Sequence, residues 1–249
     1  MIQLSDHGIR AGPNRHGTGA APDRVVRVQE GSRAPVIAPH PGVARVAGLV
    51  MVASVVFLIV GDRPVIANFF GTSDEELRVQ YLLDAPDDWD WAMTMYAVMG
   101  VVVAVGFALW AVAVHLGSAD RTSRRIADVG ATSAALGALA WVIVCYLRAT
   151  RPPAEVAAGD AEWSLLAWAP LVMVAVGLVG WMLLRADMRA RGWVIIVAAV
   201  IFVPIGIILP LGVAFPVALT GLIILVTSPS RWRSNVTIAS TDPGTQDRP

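Results

Sequence analysis

Apolar residues run through this chain in six long blocks, at roughly 44–60, 93–116, 126–147, 164–184, 192–208 and 211–228, parted by shorter polar stretches. A helix needs about 20 predominantly apolar residues to cross a hydrocarbon core about 30 Å thick. Lipid offers the backbone no water to bond, so a spanning segment must satisfy its own N–H and C=O groups, as a helix does. The pattern predicts an all-α, polytopic integral membrane protein: a six-transmembrane-helix bundle over residues 44–228.

Only Leu209-Pro210-Leu211-Gly212 parts the last two blocks. Read as one helix, 192–228 would be about 55 Å long, well beyond the hydrocarbon thickness. Pro204, Pro210 and Pro216 also fall in it, and each interior proline removes a helix hydrogen bond. A Pro-broken hairpin turning at Pro210 is expected, with a re-entrant pair as the alternative.

The flanks read differently. Residues 1–43 are rich in Gly, Pro and Arg without periodicity, and 229–249 are polar; both are expected to be disordered tails, since they bury too little to offset ordering entropy. The first forty residues hold no apolar core, so no cleavable signal peptide is expected. In the long loop 61–92, Ser73 and Glu76 have capping-box spacing ahead of Leu77 and Tyr81, which predicts a short interfacial helix. Pro152 and Pro153 stiffen the loop 148–163.

Composition agrees with a membrane protein. Charged residues make up 15% and hydrophobic residues 56% of the 249 positions, against about a quarter charged in ordinary soluble domains. All nineteen basic residues are arginine, a bias of GC-rich coding that points to a bacterial source. No basic helix or aromatic-studded basic face appears, so no nucleic-acid partner is expected.

Arginine placement sets the expected sidedness. With the N-terminus inside, fifteen of nineteen arginines lie on the cytoplasmic side, and Arg63, Arg78, Arg148 and Arg151 stay outside with eleven of the nineteen acids. The expectation is a multi-pass protein of the bacterial cytoplasmic membrane with both termini cytoplasmic.

Candidate chemistry is sparse. Asp84, Asp87, Asp88 and Asp90 crowd the start of the second block beside Trp89 and Trp91. Calcium takes six to eight oxygen ligands, so such a cluster is a candidate metal site, and Asp160 and Glu162 are placed to share it. The EF-hand spacing is absent. The plainer expectation is that Asp87 or Asp88 caps the helix, the acids complement its dipole, and the tryptophans anchor at the interface.

His115 is expected to complement the C-terminal end of the second span. Asp128 has Arg124 and Arg125 at helical spacing and is expected to pair with them. Arg45 and Arg148 lie near span ends, within reach of headgroups. Cys145 reads as a small buried hydrophobe. Gly100 with Ala104, Ser133 with Gly137, and Ala169, Met173, Gly177 and Gly180 read as helix-packing seams. Trp110, Trp141, Trp168 and Trp181 face either the interior or lipid.

No catalytic residue and no cofactor are expected: the spans hold no facing histidine pair, no Gly-x-Ser-x-Gly and no phosphate-binding loop. The leading functional expectation is a protein acting through lipids of the bilayer, a membrane protein partner or a second copy of itself. A small permease component is the alternative, and a membrane enzyme with an outward-facing acidic site the third. With Cys145 changed to serine, a cysteine placed at position 88 is expected to react with an impermeant thiol reagent applied outside the cell; reaction from the cytoplasmic side alone would overturn the sidedness.

Overall fold

The computed structural model describes residues 39–159, 165–208 and 210–227. These are helical almost throughout, with no strand among them. Most of the two polar tails lies outside the described residues. Residues 41–43 do not belong to a tail, because the first helix, α1, spans Pro41–Gly61. Proline at N1 costs nothing there, since that N–H has no helical partner, and His40 caps the turn from its ring nitrogen.

Then follow α2 (Pro64–Gly71), α3 (Glu75–Asp84), α4 (Pro86–Gly117), α5 (Arg121–Thr150), α6 (Pro153–Ala158), α7 (Leu165–Arg185) and α8 (Arg189–Ile208). Five helices are long and apolar enough to cross a membrane: α1, α4, α5, α7 and α8. By length and composition they mark a multi-pass membrane protein. The sixth apolar segment is shorter. A 3₁₀ turn at Pro210–Val213 leads into α9, Ala214–Val226, whose 13 residues rise about 20 Å.

The prolines act unequally. Pro204 lies inside α8, which continues past it to Ile208. Pro216 falls in the first turn of α9, where a missing N–H is tolerated. The break is at Pro210, where the chain leaves the α-helix.

Successive long helices run antiparallel, as the bonds between their ends show. His40 N–H donates to the Ala113 carbonyl (2.7 Å), tying the start of α1 to the end of α4. Arg185 at the end of α7 pairs with Asp120 at the head of α5 (3.4 Å). Arg191 near the start of α8 donates to Thr227 Oγ1 beyond the end of α9 (3.0 Å). This end of the bundle carries Arg45, Arg121, Arg124, Arg125, Arg185, Arg189 and Arg191. At the other, acidic end, Trp91 Nε1 donates to the Val60 carbonyl (3.2 Å) and Trp89 Nε1 to the Arg148 carbonyl (2.9 Å).

Packing runs α9–α1–α4–α5–α7–α8, and α8 touches α9 only thinly. Lipid supplies no hydrophobic drive between helices, so close approach and polar links decide the contacts. Glycine permits the closest ones. A Cβ on Gly48 would lie 2.8 Å from the Gly221 carbonyl oxygen, and a Cβ on Gly180 would lie 2.9 Å from that of Gly192. Gly100 leaves room for the Trp141 ring and Gly137 for Val172. Ser133 Oγ donates to the Leu171 carbonyl (2.7 Å), joining α5 to α7. The seams expected at Gly100, Gly137 and Gly180 are present, while Gly177 meets only the methyl of Ala199 at 4.0 Å.

Two consequences are measurable. Gly221→Ala is expected to lower stability by about 1–3 kcal/mol, as overpacking against a backbone does, in unfolding titrations in mixed micelles. Gly71→Ala, with open space around it, is the neutral control. The second concerns Asp120, which caps α5. The Ser123 hydroxyl, partly offset by burial, then the Thr122 and Ser123 amides and Arg185, hold its carboxyl below the usual range. A depressed carboxylate contributes stability above its unfolded pKa of about 4 and loses it as pH falls through the folded value. Asp120→Asn is therefore expected to flatten the acid limb of a stability-versus-pH profile measured in detergent.

Candidate functional site

α4 and α5 are 32 and 30 residues long, which at 1.5 Å per residue makes each about 15 Å longer than a hydrocarbon core. At the acidic end the polar start of α4, ahead of its apolar block, meets a cap of short helices, α2, α3 and α6. Phe69 of α2 is its hub. Its ring meets Trp89 at 4.9 Å and Phe70 at 5.1 Å, and the Arg78 guanidinium lies 5.2 Å from its centroid. Arg78 also donates to the Thr72 carbonyl (2.9 Å) and, more weakly, to the Ala157 carbonyl (3.4 Å), linking α3 to α6.

Local sequence builds these pieces. α3 is capped by Asp74, which accepts from the Glu76 and Leu77 amides (3.0 and 3.3 Å). The expected cap at Ser73 is displaced by one residue, so Glu76 sits one position too early for a capping box. α2 and α6 each open on a proline at N1, and Gly159 ends α6 with φ 83°, a left-handed conformation glycine adopts freely.

Below the cap lies a cavity of about 200 Å³. Exposed Asp62, Ala67 and Phe70 stand at its mouth; buried Met93, Tyr96, Trp141, Val144, Cys145 and Arg148 form the depth, with Leu211 of the 3₁₀ turn on one side. The Trp141 wall is fixed three ways. Its Nε1 donates to the Tyr96 carbonyl (2.7 Å), its ring stacks on Trp168 at 5.4 Å, and Gly100 backs it without a side chain. Arg148 is 4% exposed, with its guanidinium 5.5 Å from the Phe70 ring centroid. Tyr96 is 1% exposed, and its hydroxyl has no hydrogen-bond partner. A second, shallower groove runs between α4 and α5 past Thr94, Val98, Val142 and Tyr146, and shares Met93 and Cys145 with the cavity.

The residues singled out by sequence fall as follows. Asp84 ends α3, Asp87 and Asp88 sit in the first turn of α4, and Asp90 follows. All four are exposed. Neither Asp87 nor Asp88 caps the helix: Ala85 holds that position and makes no side-chain bond, because Pro86 starts the helix one residue earlier. Their place in the first turn still complements the dipole. Asp160 and Glu162 lie outside the described residues. Among those described, no group of three or more His, Cys, Asp or Glu side chains could hold a metal ion.

Trp91 is exposed, as an interfacial anchor would be, and Arg63 lies 5.7 Å from its ring centroid. Trp89 is instead buried in the cap. Asp128 pairs with neither Arg124 nor Arg125. Its carboxylate meets His115 Nε2 at 2.7 Å across α4 and α5, while Arg124 turns to the Ser118 carbonyl (2.8 Å). Arg45 is exposed and Cys145 buried. Trp110, Trp141 and Trp168 are interior, and Trp181 faces out.

Sequence reasoning passed over Tyr96 and placed Arg148 merely near a span end. Both sit on faces turned to the cavity, and the packing of α4 on α5, with α2 set against α4, brings those faces together. Comparison with protein-family models, curated proteins and solved structures finds no match. The site must be read from its own chemistry.

Proposed function

We propose that this chain is a six-span protein of a bacterial cytoplasmic membrane, with both termini in the cytoplasm, and that it works by holding a membrane lipid at its outer end. The arginine-rich end supports the orientation. The Arg191–Thr227 bond joins the far ends of α8 and α9, while Leu211 of the intervening turn reaches the opposite, acidic end; both favour α8 and α9 as arms of a hairpin.

One observation carries the lipid reading: the cavity beneath the cap has mostly apolar and aromatic walls and only a few polar groups, Asp62, Tyr96 and Arg148. Binding pockets for small amphiphiles have this constitution, with apolar walls for affinity and a few polar groups for orientation. At about 200 Å³ the cavity is too small for a helix or strand, so part of a lipid fits it better than a polypeptide segment. Among the described residues no base is hydrogen-bonded to a nucleophile in it, so binding rather than catalysis is the activity that fits.

Native mass spectrometry of the gently solubilised protein is expected to show a retained lipid. Ala67→Trp, which plugs the mouth from an exposed position, is expected to lose most of it. Absence of lipid from the wild type, or equal retention by both proteins, would overturn the reading.

A further inference from the structure

Resting on that lipid-binding reading, we infer that the bound lipid is recognised through a carbonyl oxygen, which accepts a hydrogen bond from the Tyr96 hydroxyl. Tyr96 is almost wholly buried, it forms part of the cavity wall, and its hydroxyl has no hydrogen-bond partner. A buried polar group without a partner is costly, by more than a made bond gains. No group of the wall bonds it: the Asp62 carboxylate stands at the exposed mouth, and the adjoining walls are Met93, Val144 and Cys145.

The polarity of the depth selects the ligand. Arginine offers only donors, and a phenol offers one donor with its oxygen. The carboxylate acceptor, Asp62, stands at the exposed mouth. The group left to a ligand in the depth is the Tyr96 hydroxyl, whose proton calls for an acceptor. Lipid phosphates also accept without donating, but they carry a charge that a mostly apolar depth would have to desolvate; a carbonyl is neutral, as in the ester of a glycerolipid or the ring of a lipid quinone. Size agrees: an apolar cavity of about 150 Å³ accommodates benzene, and this one, at about 200 Å³, accommodates a ring or a few carbons with one oxygen.

The chain of such a lipid has a track at hand. The α4–α5 groove is lined mostly by apolar side chains, with Thr94 and Tyr146 among them, and shares Met93 and Cys145 with the cavity. Methionine is unbranched and turns readily about three bonds, so this shared wall yields at Met93.

The test compares ester-linked and ether-linked phospholipids of identical head group and chain length, and separately a short-chain benzoquinone, on wild type and Tyr96→Phe. Retention is read by native mass spectrometry, and quinone binding by quenching of tryptophan fluorescence. One neutral hydrogen bond corresponds to roughly a five- to tenfold preference. Wild type is expected to retain the ester lipid over its ether twin by about that factor, with Tyr96→Phe abolishing the difference. If ester and ether are retained equally but quinone binding drops by that factor in Tyr96→Phe, the carbonyl is a quinone's.

Equal retention of ester and ether, with quinone binding unchanged in Tyr96→Phe, would overturn the inference and leave lipid binding standing. Retention of none of the three by wild type would overturn both. The ester–ether comparison on wild type decides the glycerolipid case even if Tyr96→Phe fails to fold.

Discussion

Two helix backbones can touch only where neither carries a side chain at the crossing, and this bundle depends on two such places. Gly48 against Gly221 seats α9 on α1, and Gly180 against Gly192 seats α8 on α7. Between helices in lipid, that intimacy stands in for the hydrophobic effect. Because each arm of the Pro-broken segment is bound to a different neighbour, the arms meet each other only thinly. The turn between them is carried to the acidic end, where Leu211 becomes part of the cavity wall.

The cavity follows from a mismatch of lengths. α4 and α5 outrun the hydrocarbon core, and the buried faces of α4 at the acidic end need cover. Phe69 supplies it, packed on Trp89 and backed by Arg78. The cap roofs the space above Trp141 without filling it, and Trp141 cannot swing upward, because its N–H, its ring face and the bare backbone of Gly100 each hold it in place.

The helical class, the five long spans and several glycine contacts were legible in the sequence, because long apolar runs and small residues act locally. Boundaries were less so. Pro86 begins α4 seven residues ahead of the expected 93, since polar residues extend a helix beyond lipid without leaving any mark in hydropathy. α2 was missed although Pro64 and Gly71 bracket it; its apolar residues gain their meaning only against Trp89. The His115–Asp128 pair joins residues thirteen apart on different helices, and helical spacing along one helix pointed to the arginines instead. Nothing along the chain marks Tyr96 as special. Its hydroxyl is distinguished by what surrounds it, and that is a property of packing.

The glycine contact between α1 and α9 also bears on how the protein is made. Among the described helices these are the first and the last, so the strip of α1 that carries Gly48 has no lasting neighbour on that side while the intervening spans are being synthesised. Such a long-range contact closes late, after the local ones have formed. Until then lipid, or an insertion factor, must cover the strip. Among the described helices, this contact cannot form before α9 itself has been made.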